Sequence, residues 1–312
     1  MDMTVRGIRL ESADVRSLQL VMADGAPLPP WRPGAHVELH LGPGLRRAYS
    51  LCNHPGETGC YRIAVKLEPV SRGGSRAVHA LQVGQTVRVE APRHLFELHP
   101  EARHHVLLAA GIGLTPLYAM FHGAGGGPAA TLHVFARSPA HATFADRLDG
   151  HAQWHFGLDG EATAQTLRRI VGEHAGRDAT CFYHCGPAPF MAAVDAALDA
   201  AGVPTEWRRS EQFSAAPALA QGNADTFTVE LARSGQRFTV TPTQSILEAA
   251  RQHGIDLPCS CEMGVCGACL SQVIEGEPDH RDSYLSPEER AGGRLIMPCV
   301  SRCRGARLVL DH

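Results

Sequence analysis

The placement of the cysteines restricts this chain more than any other feature. Cys261, Cys266 and Cys269 form C-x4-C-x2-C, Cys299 follows after a gap of 29 residues, and six of the ten cysteines fall between Cys259 and Cys303. This is the spacing of a plant-type 2Fe-2S cluster. Gly264, Gly267 and Ala268 are small enough for the backbone to wrap the cluster and turn its N–H groups towards the sulfurs. Two alternatives stay open on the residues alone. One is a structural zinc site, although zinc favours paired C-x2-C units or added histidines. The other is a set of reduced thiols without a metal. Cys259 and Cys303 fall outside the pattern and are expected to be bystanders, and Cys52, Cys60 and Cys181 to be single thiols.

Composition narrows the setting. The chain has 312 residues, enough for two or three domains, and at 44% hydrophobic and 20% charged it is not a disordered chain. A formal charge of −3 gives no reason to expect nucleic acid or anionic lipid as a partner. No stretch approaches the roughly 20 apolar residues that span a bilayer. Met1 to Val15 alternates charged and apolar residues rather than forming a secretory signal, so a cytoplasmic protein is expected. There, clustered cysteines point to metal or redox chemistry rather than disulfides.

Residues 1–101 read as short apolar strands, at Ser17–Met22, His36–Leu41, Arg62–Leu67 and Thr86–Val89, divided by Pro and Gly turns. That pattern predicts a small antiparallel barrel. From 102 to 213 the pattern changes to buried strands at His105–Ala110, Thr131–Ala136 and Thr180–His184, alternating with helices at Leu117–Phe121 and Pro189–Ala201. This predicts a parallel sheet with helices on both faces. Residues 214–224, small, polar and proline-containing, read as a linker. Residues 225–312 carry strands near Thr226–Leu231 and Arg237–Val240, a helix over Ser245–His253, and the cysteine loop.

Gly111-x-Gly113-x-Thr115-Pro116 follows a strand and opens a helix, where glycines admit a dinucleotide backbone and the helix start favours phosphate. The third glycine of the usual fingerprint is missing, so the motif alone suits a structural turn equally well. Cys185, Gly186 and Pro187 end another strand, where they would line the nicotinamide crevice. Arg137 and Ser138 end a third strand and would meet the adenosine ribose, or form an ordinary exposed turn. In the first segment, Arg47-Ala-Tyr49-Ser50 suits a flavin: Tyr49 to stack on the ring, Arg47 to neutralise a phosphate, Ser50 to bond the ring edge. Arg72-Gly73-Gly74-Ser75-Arg76 precedes a helix over Ala77–Leu81 and makes a phosphate cradle.

Taken in order, these motifs (RAYS at 47–50, RGGSR at 72–76, GIGLTP at 111–116, CGP at 185–187, EQF at 211–213 and CEMGVCGAC at 261–269 with Cys299) resemble the phthalate dioxygenase reductase family, over essentially the whole chain. The resemblance implies a multidomain fold: an N-terminal antiparallel β-barrel for FMN, a central α/β parallel-sheet domain for NADH, and a C-terminal α+β plant-type ferredoxin of β-grasp type. By motif it implies FMN contacts at Arg47, Tyr49, Ser50, Val65, Lys66, Gly73, Gly74, Ser75, Arg76, Thr115 and Phe213. The NADH contacts would be Gly111, Gly113, Pro116, Arg137, Ser138, Cys185, Gly186 and Pro187. The cluster ligands would be Cys261, Cys266, Cys269 and Cys299. The serine at 138 departs from members with an acidic residue there.

A nicotinamide delivers two electrons and a 2Fe-2S cluster takes one, so a flavin must stand between them. The expected activity is NADH oxidation through FMN and the cluster to a separate protein, met transiently: the terminal component of a Rieske non-haem iron oxygenase. Alternatives are a cytochrome P450 as acceptor, or a carrier or redox sensor without reductase activity. The 18 histidines are read as surface or packing residues. Residues 225–312 hold 12 Asp/Glu against 9 Arg, a slight acidity that would suit a basic patch on the acceptor.

Overall fold

A computed structural model describes residues 1–42, 45–54, 56–69, 73–125, 129–213, 225–259, 262, 264, 267–282 and 284–312. The chain divides into two compact units, Met1–Phe213 and Ser214–His312. Among the described residues no helix is long and apolar enough to cross a membrane.

The first unit begins with strands β1 (Asp2–Ser12), β2 (Val15–Met22), β3 (Ala35–Gly42), β4 (Leu45–Ser50) and β5 (Tyr61–Lys66), a short helix α1 (Gly74–Ala80), then β6 (Thr86–Val89) and β7 (Arg93–His94). They form one antiparallel sheet in the order β4-β3-β6-β1-β2-β5, with β7 added to β3. A bridge between Leu51 and Ile63 joins the end of β4 to β5 and closes the sheet into a barrel. Its interior is filled by Met3, Val5, Leu18, Leu20, Val37, Leu39 and their neighbours. The long β1 was not marked as a strand in the sequence, where the stretch served only to exclude a secretory signal; its burial is mixed along its length.

The same unit continues with β8 (His104–Ala110), α2 (Leu114–Gly123), β9 (Ala130–Ala136), β10 (Ala152–Phe156), α3 (Gly160–His174), β11 (Thr180–Cys185), α4 (Ala188–Ala200) and β12 (Arg208–Glu211). The five strands are parallel, in the order β10-β9-β8-β11-β12. Alternation along β8 splits its side chains between two cores. Leu107 and Ala109 face α2, and Val106, Leu108 and Ala110 face α3 and α4. Helices therefore cover both faces, as expected. Helix α2 starts at Leu114, three residues earlier than predicted, because Pro116 fits its first turn. The α2 core also takes in Val15, Cys52, Ala64 and Phe96, so barrel and parallel sheet share buried surface.

Three imidazoles of this unit are held neutral. Burial above all lowers His36, His122 and His133 from the usual 6.5 to about 4. His36 and His133 are 5% and 1% exposed, so packing is their role. A group whose folded pKa is depressed supplies stability above its unfolded pKa and loses it as pH falls through the folded value. Stability is therefore expected to decline between pH 6.5 and about 4, by on the order of 3 kcal/mol for each fully buried ring. Urea unfolding followed by tryptophan fluorescence checks this for the first unit, since Trp31, Trp154 and Trp207 all lie within it.

The second unit contains β13 (Phe227–Leu231), β14 (Arg237–Val240), α5 (Ile246–Gln252), β15 (Ser271–Glu275), β16 (Pro278–Asp279), α6 (Pro287–Gly292), β17 (Leu295–Ile296), β18 (Arg302–Cys303) and β19 (Arg307–Leu310). The main sheet runs β14-β13-β19-β15-β17, with β13 and β19 parallel and the remaining pairs antiparallel. Helix α5 begins with a complete capping box from Ser245 and Glu248. Arg302 is 1% exposed. Its guanidinium donates to the carbonyls of Thr241 at 3.2 Å, Gln244 at 2.6 Å and Asp225 at 3.0 Å, and lies 5.0 Å from the centre of the Phe227 ring.

Candidate functional site

Strand β4 presents Arg47, Tyr49 and Ser50 opposite Leu39, Val37 and His36 of β3. Tyr49 packs against the barrel core, and burial pushes its phenol up to about 12 against the opposing effect of Arg47. It is therefore neutral at any working pH. The start of α1 lies on this strand. A Cβ at Gly74 would sit 2.7 Å from Cγ of Arg47, so any larger residue there would push the Arg47 side chain aside. Gly73 has a φ of 94°, which also favours glycine. Around it, the Ser75 hydroxyl accepts the backbone N–H of Glu68 at 3.2 Å, Arg76 donates to the Pro69 carbonyl at 2.8 Å, and Lys66 pairs with Glu68 at 2.7 Å. His79 of α1 bonds the Val65 carbonyl at 2.8 Å. The fold thus gathers Arg47, Val65, Lys66, Gly73, Gly74, Ser75 and Arg76 around one helix start; Arg72 lies outside the described residues.

The parallel sheet reverses its strand order between β8 and β11, and crevices that take ligands open at such a switch. The glycine motif leaves β8 there and the Cys-Gly-Pro motif leaves β11 there. They touch: a Cβ at Gly113 would lie 2.2 Å from the Cys185 carbonyl oxygen, and one at Gly186 would lie 2.8 Å from the Ala110 side chain. The glycines keep the two loops in van der Waals contact at the sheet edge. Thr115 is 2% exposed and donates to the Ile112 carbonyl at 3.0 Å, and Pro116 is buried beside it. Burial raises the Cys185 thiol well above its usual range, and the nearby Glu211 carboxylate adds to the rise. The thiol is a neutral, apolar lining group, not a nucleophile.

Glu211 was quoted within a motif but given no role by sequence reasoning. It pairs with Cys185 across β11 and β12, and its carboxylate accepts the Ser50 hydroxyl at 3.2 Å. One hydrogen bond thereby connects the flavin-type strand to the nicotinamide-type crevice. The contact spans 161 residues of sequence, so no local pattern carries it. Phe213 follows two residues later and is 36% exposed, an open aromatic surface at the end of the unit. Arg137 and Ser138 follow β9, one strand further along the same sheet edge. Arg137 pairs with Asp14 at 3.1 Å, and the Ser138 hydroxyl bonds His141 at 2.9 Å.

In the second unit Cys269 and Cys299 are 3% and 6% exposed, with their sulfurs 3.2 Å apart. Cys261 and Cys266 lie outside the described residues. Gly264 and Gly267 have φ values of 72° and 73°, and a Cβ at either would come within 2.5 Å of Val300 or the Tyr284 ring. Two buried thiols within reach of one iron, with Gly264 and Gly267 making tight turns just before Cys269, fit a 2Fe-2S cluster. The flavin position fits as well, with a cradle that a Cβ would fill at Gly74, and the nicotinamide position lies at the strand ends, where Gly113 and Gly186 let the two loops pack together.

A model of the 2Fe-2S iron-sulfur cluster binding domain matches residues 229–304. A vanillate O-demethylase oxidoreductase from a Pseudomonas species is 39% identical over 319 residues, covering 100% of this chain and 99% of that protein. Among solved structures, phthalate dioxygenase reductase, described as a modular structure for electron transfer from pyridine nucleotides to 2Fe-2S, superposes with a TM-score of 0.80. It is 35% identical, with 100% of this chain and 98% of that one covered. A type IV self-sufficient cytochrome P450 monooxygenase aligns with all of this chain over 41% of its own length, at 35% identity and a TM-score of 0.75.

Proposed function

The chain belongs to the phthalate dioxygenase reductase family and is an oxidoreductase, and we propose that it is the reductase component of an oxygenase system, oxidising NADH and passing electrons singly to a terminal oxygenase. The observation that carries this reading is the Ser50–Glu211 hydrogen bond beside Cys185, which brings the flavin cradle and the nicotinamide crevice to one point. Bound FMN supplies the exchange between two-electron and one-electron chemistry, and bound 2Fe-2S the one-electron outlet.

The protein's own residues position and shield. Arg47 and the backbone N–H groups at the start of α1 hold the phosphate. Tyr49 offers its face to the ring system and, staying neutral, adds no charge to it. Gly113 and Gly186 let the two loops pack closely at the strand ends, beside which the nicotinamide would lie. The neutral Cys185 thiol keeps water and charge from the reacting carbon, and Ser50 is held by Glu211 to bond the ring edge. No side chain is required as nucleophile or base.

Anaerobic titration of the full chain with NADH, followed by visible absorbance and low-temperature EPR, tests the path. Flavin bleaching together with a reduced 2Fe-2S signal is expected. Flavin that stays oxidised would overturn the reductase reading. A second reading, with a cytochrome P450 as acceptor, is favoured by the similarity to the self-sufficient monooxygenase. Reconstituted turnover with each class of acceptor separates the two.

A further inference from the structure

The geometry points to Arg251 as a positioning residue for the 2Fe-2S cluster, one whose guanidinium staples both flanks of the ligand Cys261 and balances the charge of the ligand loop. The inference rests on the iron-sulfur reading above. Arg251 stands in the last turn of α5, outside the cysteine pattern. Its Nη2 lies 2.8 Å from Oε1 of Glu262 and 2.8 Å from Sγ of Cys259. Those two residues bracket position 261 in the sequence. One nitrogen therefore anchors the chain before and after the first ligand.

Glu262 makes the anchor necessary. Its φ is 55°, the left-handed region, like Gly264 at 72° and Gly267 at 73°. Glycine takes that conformation freely, whereas a residue with a Cβ is strained there. A glutamate at this position gains from its carboxylate, which reaches the helix. The two side chains are 17% and 12% exposed, so water screens them little. As a pair they are neutral. Iron-sulfur potentials respond to net charge and hydrogen bonding around the sulfurs, so removing either member leaves one bare charge beside the ligand loop.

The test has a sign. In the full-length protein, Arg251→Gln leaves the carboxylate and is expected to lower the cluster's midpoint potential. Glu262→Gln leaves the guanidinium and is expected to raise it. The double variant is expected to return close to wild type in potential, and Arg251→Lys, which keeps the charge, to stay close to it. Both single variants and the double variant should release iron faster under chelator challenge, read from the visible absorbance, while flavin reduction by NADH is unchanged. Midpoints come from redox titration monitored by EPR. If both single variants shift the potential in the same direction, or if Arg251→Gln keeps wild-type potential and iron retention, the staple is overturned. Should Arg251→Gln fail to fold, Glu262→Gln alone decides by whether its potential rises. Absence of any 2Fe-2S signal in reduced wild-type protein would instead overturn the iron-sulfur reading itself.

Discussion

Replacing Cys299 with serine is expected to abolish the 2Fe-2S signal and cut NADH-driven reduction of a one-electron protein acceptor by more than about a hundredfold. That is beyond the 10–100-fold cost of disturbing the groups around a metal site. NADH-driven flavin reduction should remain at the wild-type rate. Every position proposed for nicotinamide or flavin lies in Met1–Phe213, a compact unit distinct from the one that holds Cys299. Stopped-flow reduction and steady-state turnover on the same preparation measure the two halves separately. A retained cluster would mean that another thiol had taken the vacated place. Cys259 and Cys303, 7% and 3% exposed in the same core, would be the ones to replace next.

Gly113→Ala is expected to be strongly damaging at the nicotinamide-type crevice. Its Cβ would lie 2.2 Å from a backbone oxygen and 2.4 Å from the Cys185 carbonyl carbon, where no side chain can rotate away. Overpacking of this kind costs about 1–3 kcal/mol, and a shift of about 1 Å in a reacting group can cost about a hundredfold in rate. A fall of that order in kcat/KM for NADH should therefore accompany a lower thermal midpoint. Gly111→Ala is the contrast. Gly111 has a φ of 54° with nothing within 4 Å of the added methyl, so backbone strain of about 1–2 kcal/mol is the only cost. If both variants behaved alike, loop contact would not be the reason for the second glycine.

The sequence made the 2Fe-2S domain legible because ligand chemistry is local: a short loop must supply three thiols at fixed spacing. The barrel and the parallel sheet were legible as classes through hydrophobic period and turn residues. Helix α3, from Gly160 to His174, was passed over although Leu167, Ile170, Val171 and His174 form a buried stripe, because polar residues dominate the segment. What escaped entirely depends on register and on contacts between distant segments. Glu211 acquires meaning only when β12 pairs with β11 and Ser50 arrives from the barrel. Arg251 and Cys259 looked like an ordinary helix residue and a bystander until the loop turned back onto α5.

Arg302 bears on how the protein is assembled. It lies three residues after Cys299, yet its two terminal guanidinium nitrogens donate to the backbone carbonyls of Thr241, Gln244 and Asp225. The surrounding core draws on strands and helix as well as cysteines. A zinc finger collapses without its ion because the metal supplies most of its folding energy. Here the keystone is organic. Under iron starvation the second unit should persist as a folded, empty receptacle, ready for late loading, and the supply of iron would govern activity without governing the lifetime of the polypeptide.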